Sequence, residues 1–192
     1  MNVVRAIEVI TNELEGAYSY LGALCRKDDD YLNQKLPYDD SWTILKHVEH
    51  TYLTGYFLLL TLDKSVSKCL KRKKELQYSE DVGSLEEINE ISMPGFFEWN
   101  PPKHLIPKKK LPKTEIELKL KEQVVQLENL LDQISDGSGT LCKVTMTVHK
   151  LGKIDVYQWA YFLTQHAKFH IKYIVNIEEK TAHRPPQTAR VR

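Results

Sequence analysis

Two histidines stand one helical turn apart near the end of the chain, in the stretch QWAYFLTQHAKFHIKYI at residues 158–174. His166 and His170 are four positions apart, so on a helix both imidazoles project from the same face. Burying an unpaired polar group costs roughly 1–3 kcal/mol, and one metal ion would satisfy both rings. The pair therefore predicts a metal site on a buried helix face. The other residues of that face are apolar or aromatic: Trp159, Phe162, Leu163, Tyr173, Ile174 and Ile177.

A histidine from an earlier helix can complete the set of ligands. His47 falls on a core-facing stripe between Ile44 and Thr51, and we expect it to be the third ligand. His50 lies one turn further along, near the edge of that stripe, and is the alternative. Three histidines leave a coordination position for water or substrate, which is the catalytic rather than the structural pattern for zinc. A purely structural interpretation stays open, in which the histidines hydrogen-bond to one another and to tyrosine or threonine.

The remaining histidines are expected to lie outside this site. His104 stands in a proline-rich segment and His183 in the C-terminal tail, where we expect both to be solvated. His149 precedes a KLG turn and is interpreted as a structural hydrogen-bonding residue.

Two carboxylates are candidates for a general base, although the sequence assigns no catalytic residue. Glu49 is two residues from His47, roughly 200° around the helix, so we expect it to face solvent. Glu98, in the stretch FFEWNPP, could fold over the pocket.

The first two of four amphipathic helices are marked by their apolar periodicity. The first is predicted over residues 2–26. The second follows LPYDDS, with Asp39, Asp40 or Ser41 as its N-cap, and carries His47 and His50.

Capping-box spacings mark the starts of the other two helices. Thr114 and Glu117 have this spacing before the third helix, which ends at SDGSG. Asp155 and Gln158 have it before the fourth, which continues to about Glu178 and carries the histidine pair.

A long connection separates the second and third helices, at residues 64–113. DKSVSKCLKRKKE is predicted to be a short helix with a basic, solvated face. The rest is polar and proline-rich, and is therefore predicted to be extended and irregular, with Phe96, Phe97 and Trp99 packed on the bundle. LCKVTMTVHKLG, before the fourth helix, is predicted to be extended. The predicted fold is all-α, a four-helix bundle with one long irregular crossover.

Composition limits the classes of function. The 192 residues suit one domain at residues 1–180, followed by a basic, disordered tail at 181–192. Lys and Arg number 27 against 26 Asp and Glu, which disfavours nucleic-acid binding through a basic surface. Three cysteines without a CxxC motif indicate a reducing cytoplasm. The N-terminus does not fit a signal peptide, and the apolar run YFLLLTL is too short to span a membrane.

Two motifs together carry a resemblance to a known family. SWTILKHVEH resembles the second-helix motif of the DinB/YfiT-like superfamily, and HKLGKIDVYQWAYFLTQHAKFHIKYI resembles its last-helix motif. The resemblance implies a four-helix bundle with a divalent metal held by His47, His166 and His170. Nitrogen-only ligands suit zinc or nickel. The resemblance also implies a homodimer, and a hydrolase or a thiol transferase acting on a small molecule, with a low-molecular-weight thiol as cosubstrate in some branches.

Both activities follow from one kind of site. A metal held by three neutral ligands keeps its positive charge, which lowers the pKa of a bound water or deprotonates a bound thiol. The weak case for a general base favours thiol transfer. The alternative is a non-catalytic bundle that binds a metal or a small ligand in a stress response.

Overall fold

Four long helices form the frame that positions the histidines. The computed structural model describes residues 1–35, 42–74, 76–93, 95, 101–108, 111–148 and 151–182. The long helices are α1 (Val3–Leu24), α3 (Ile44–Arg72), α5 (Lys113–Asp132) and α6 (Val156–Ala182), and the short ones are α2 (Asp29–Leu32) and α4 (Glu86–Asn89). The described residues also form three 3₁₀ helices, at Glu90–Ser92, Lys103–Leu105 and Ser138–Leu141.

The long helices enclose one apolar core. α1 and α3 each pack against both α5 and α6, so the four helices surround a shared interior. Apolar residues at helical spacing on each helix supply this interior, and burying each one fully contributes about 1.5–3 kcal/mol. The predicted all-α four-helix bundle is confirmed. Fully buried examples are Ile10, Leu14 and Leu21 of α1, Leu59 and Leu62 of α3, and Ile116 and Leu120 of α5.

Helix α3 differs from its prediction at both ends. Its N-cap is Thr43, whose side chain accepts a hydrogen bond from the backbone N–H of Lys46, so the cap predicted at 39–41 is wrong. Asp39, Asp40 and Ser41 themselves lie outside the described residues. The separate basic helix is also wrong, because α3 continues through it to Arg72. Val66 and Cys69 are buried and extend the apolar stripe of α3 into this segment.

Helix α5 begins without the predicted capping box. Its N-cap is Pro112, and no side chain caps the helix there. Proline has a fixed φ that suits a helix start. Glu117 instead accepts hydrogen bonds from Arg26, two residues after the end of α1, at 2.8 Å and from Lys121 at 2.8 Å. Charge pairing with a residue outside the helix therefore takes the carboxylate away from the helix end.

The crossover between α3 and α5, residues 73–112, is more ordered than predicted where the structure describes it. It contains α4 and two 3₁₀ helices. Its first part is fastened to the N-terminus, since the N–H of Val3 donates to the carbonyl of Glu80 at 2.9 Å and that of Val82 to Met1 at 3.0 Å. Phe96, Phe97, Glu98 and Trp99 were expected against the bundle or over the pocket, and they lie outside the described residues.

A small hairpin leads into α6. Strands β1 (Lys143–Met146) and β2 (Gly152–Asp155) pair antiparallel, with Lys143 opposite Asp155 and Met146 opposite Gly152. The extended segment predicted before the last helix is thus confirmed, together with a partner strand. The hairpin ends at the residue that caps α6.

Asp155 caps the N-terminus of α6, and the predicted capping box is confirmed. Its carboxylate accepts from the backbone N–H of Gln158 at 2.9 Å, while Gln158 Oε1 accepts from the backbone N–H of Asp155 at 2.9 Å. The other carboxylate oxygen accepts from the backbone N–H of Gly83 in the crossover at 2.9 Å. One buried side chain therefore joins the hairpin, α6 and the crossover.

Asp155→Ala is expected to lower the free energy of unfolding by about 2 kcal/mol. The lost cap accounts for about 1 kcal/mol, and the lost bond to the crossover for about 1 kcal/mol more. Urea unfolding followed by circular dichroism measures the change. Asn2→Ala is the matched control, because Asn2 caps α1 from an exposed position and, among the described residues, its side chain bonds only the backbone N–H of Arg5. Equal losses in the two variants would contradict a second role for Asp155.

The far end of α6 lies beyond its predicted end at Glu178, since the helix runs to Ala182. Residues 183–192, most of the predicted tail, lie outside the described residues. Among the helices of the described part of the chain, none is long and apolar enough to cross a membrane.

Candidate metal centre

Four histidines meet where α3 packs on α6. His47 and His50 project from α3, and His166 and His170 from α6. Their exposed fractions are 7%, 3%, 2% and 5%, so the imidazoles are removed from bulk water. The helical periodicity that buries Ile44, Val48 and Leu58 necessarily turns the two α3 histidines inward as well.

Three of the four have ring nitrogens close enough to share one ion. One nitrogen each from His50, His166 and His170 can be chosen so that all lie within 4.8 Å of one another. Nε2 of His166 and Nε2 of His170 are 3.2 Å apart. Zinc–nitrogen bonds of about 2.0–2.1 Å in a tetrahedron place two ligand nitrogens about 3.4 Å apart. The His166–His170 separation is close to this value and the whole trio is compact enough to hold a divalent ion, for which nitrogen-only ligands suit zinc or nickel.

The tautomer of His50 is fixed by a backbone carbonyl. Its Nδ1 lies 2.8 Å from the carbonyl oxygen of Leu105, which can only accept, so Nδ1 must carry the proton. Its Nε2 therefore holds a lone pair, and the hydroxyl of Thr54 lies 3.3 Å from it. Histidine ligands of metals commonly donate their second N–H to a carbonyl or a carboxylate in this way. His50 is thus already prepared to bind an ion through Nε2.

His47 lies beside the trio rather than within it. Its Nδ1 is 3.0 Å from Nδ1 of His170. His166 and His170 belong to the set predicted from sequence, while the α3 member of the geometric trio is the alternative, His50. The assignment of His47 as a ligand stays a prediction.

All four imidazoles are held neutral near pH 7. Burial lowers the pKa of His47 to about 4, with a further contribution from His50. Burial is also the leading reason that the pKa values of His50, His166 and His170 are lowered. Metal binding requires neutral imidazole. The same burial that makes these groups costly to protonate therefore keeps their lone pairs available.

Aromatic rings form the walls of the cluster. The half-buried indole of Trp42 stacks on His170 with centroids 6.3 Å apart and meets His50 edge-on at 4.7 Å. Phe169 lies 5.2 Å from His170, and Tyr173 lies 5.8 Å from His47. The sequence interpretation missed Trp42, although its place just before a helix carrying two histidines is a usable signal. Such walls restrict the access of water and competing ligands to a bound ion.

The candidate bases are placed differently from expectation. Glu49 is 4% exposed, so its prediction as a solvent-facing residue is wrong. Burial raises the pKa of its carboxyl, and a hydrogen bond from the backbone of Leu111 acts in the opposite direction. The segment before α5 covers this side of α3. Glu98 lies outside the described residues.

The other histidines are separate from the trio as far as the structure describes them. His104 is exposed, as predicted, and its ring lies 5.4 Å from that of Phe57. His149 and His183 lie outside the described residues. Trp159 is core, as its apolar position suggested, and its Nε1 donates to the carbonyl of Leu58 at 3.1 Å.

Fold and site together define a helical bundle with a three-histidine group suited to a metal ion. The DinB superfamily profile matches residues 14–174, a span that includes α3, α5 and the histidines of α6. The chain belongs to the DinB superfamily. No curated protein and no solved structure gives a significant match to this chain.

Proposed function

We propose that this protein is a metal-dependent thiol transferase in which His50, His166 and His170 hold a divalent ion, zinc or nickel. The observation that carries the proposal is the trio of buried, neutral imidazoles with ring nitrogens within 4.8 Å of one another. Membership of the DinB superfamily supports a three-histidine metal site, in which the resemblance of the two motifs places His47 and the geometry of this chain places His50.

The donor set favours a particular kind of chemistry. Three neutral ligands leave the full charge of a divalent ion uncompensated, and one coordination position open. When bound, such an ion supplies the field that deprotonates a thiol or lowers the pKa of a water. The thiol sulfur would then bond to an electrophilic carbon as the leaving group departs with its bonding electrons, and the thiol proton passes to solvent.

In this proposal the side chains around the site orient the ligands and exclude water, and none of them transfers a proton. Leu105 orients His50, and Trp42, Phe169 and Tyr173 limit the access of water to the rings. A water nucleophile benefits from a general base. Glu49, the nearest candidate in sequence, receives a backbone hydrogen bond from Leu111 and is not one of the trio. This arrangement supports the thiol route over hydrolysis.

The proposed protein is cytoplasmic and forms a homodimer. A cytoplasmic location agrees with the three cysteines, which are buried and unpaired by disulfides. A homodimer would cover the exposed apolar side chains Tyr56, Phe57 and Leu60 on α3. Molar mass from light scattering tests the dimer, and a monomeric mass would overturn it.

The test is turnover by the metal-loaded protein. We expect consumption of an aryl halide with a low-molecular-weight thiol to depend on zinc or nickel, and to be lost in His50→Ala. His104→Ala is the matched control, since His104 is exposed and separate from the trio. Metal-dependent hydrolysis of esters without thiol would replace the transferase by a hydrolase. Metal binding without turnover of either class would identify a non-catalytic binding protein.

A further inference from the structure

The contact between His47 and His170 assigns His47 a role of its own. We propose that His47 is a positioning residue that accepts the Nδ1–H of His170 and thereby turns Nε2 of His170 toward the ion. This inference rests on the metal site proposed above. It also gives the two histidines of α3, three residues apart, different tasks: His50 binds the ion, and His47 orients a ligand from α6.

The contact distance requires a single shared proton. The two Nδ1 atoms are 3.0 Å apart, which is hydrogen-bond distance. Two N–H groups facing each other at this distance would clash, and two lone pairs would repel. Both rings are buried, with exposed fractions of 7% for His47 and 5% for His170, and a neutral buried imidazole carries one N–H. One Nδ1 must therefore donate and the other accept.

The other nitrogen of His170 decides the direction of this bond. Its Nε2 lies 3.2 Å from Nε2 of His166, on the side where the trio converges. An ion binds the lone pair of Nε2, which leaves the proton of His170 on Nδ1. His47 must then accept at Nδ1 and carry its own proton on Nε2. The His47 ring thus does for His170 what the Leu105 carbonyl does for His50.

The surroundings hold the His47 ring in place for this task. The ring is 7% exposed, lies 28° from parallel to the Tyr173 ring at 5.8 Å, and meets Trp42 at 5.7 Å. An outer-shell acceptor of this kind fixes the orientation and the tautomer of a ligand, and its loss typically weakens metal affinity about 10–100-fold.

Metal affinity of the full chain tests the role, measured by competition with a chelator for zinc. We expect one ion per chain in His47→Leu, with affinity reduced about 10–100-fold. His47→Asn should recover much of the affinity, because its Oδ1 can stand where Nδ1 stood. His50→Leu should lose far more than either. Circular dichroism and thermal unfolding of the metal-free variants establish that each is folded.

The possible outcomes separate the two proposals. Unchanged affinity in His47→Leu overturns the positioning role while the metal site stands. Loss of stoichiometric binding in His47→Leu, with binding kept in His50→Leu, makes His47 the ligand instead. Absence of metal binding by the unsubstituted chain overturns the site itself, and the inference with it.

A second measurement needs no variant. In zinc-loaded protein labelled with ¹⁵N at histidine, we expect the proton of His170 on Nδ1, with a coupling across the hydrogen bond to Nδ1 of His47. A proton on Nε2 of His170 would overturn the proposal.

Discussion

Replacing His166 and His170 together with alanine is expected to leave the purified protein without bound metal. Two of the three ring nitrogens that lie within 4.8 Å of one another would be gone. The loss of affinity should exceed the roughly 10–100-fold that follows from removing an outer-shell partner. Elemental analysis after dialysis, with about one ion per chain in the unsubstituted protein, measures the effect.

His104→Ala controls for the simple loss of a histidine, since His104 is exposed and contacts Phe57 rather than the trio. Equal metal content in the double variant and the unsubstituted protein would show that His166 and His170 do not bind a metal ion. The bundle would then be structural, with histidines that hydrogen-bond to one another and to Thr54.

Acid is expected to destabilise the metal-free protein strongly between pH 6.5 and 4. The pKa of His47 falls from 6.5 to about 4 on folding, so the unfolded chain binds a proton in this range that the folded chain does not. Stability is therefore complete above pH 6.5, and His47 alone lowers it by about 3 kcal/mol as the pH falls to 4. His50, His166 and His170 act in the same direction.

Urea unfolding in the presence of a chelator, at a series of pH values, measures this loss. The carboxyl group of Glu117 titrates below this range, because hydrogen bonds from Arg26 and Lys121 hold its pKa at about 2, against an ordinary value of 4.5. The variant His47→Leu should show a smaller slope in the same range. A flat profile from pH 6.5 to 4 in the unsubstituted protein would contradict the burial of neutral imidazoles.

Features set by neighbours in sequence were predictable, and those set by distant partners were not. The capping box of α6 depends only on Asp155 and Gln158, and the structure contains it. The capping box predicted from the similar spacing of Thr114 and Glu117 is absent, because Pro112 already starts the helix and Arg26, which follows α1, binds Glu117. Spacing within one segment cannot reveal a partner that is distant in sequence.

The histidine site likewise has features that depend on neighbours in sequence, which were predictable, and features that depend on distant residues, which were not. The four-residue spacing of His166 and His170 places both on one face of α6, which the structure confirms. His47 and His50 are one turn apart on α3, and their tasks depend on how that helix is rotated against α6. The acceptor that sets the tautomer of His50 is the carbonyl of Leu105, separated by 55 positions along the chain. No periodicity within α3 carries that information.

The hydrogen bond between His50 and the Leu105 carbonyl couples the folding of the crossover to the binding of the proposed ion. The 3₁₀ helix Lys103–Leu105 stabilises the tautomer of His50 that an ion requires, so a folded crossover favours binding. By reciprocity, a bound ion favours the folded crossover by an equal free energy. Substitutions at residues 103–105 would then change metal affinity without touching the metal, and loading with metal would slow proteolysis of this segment.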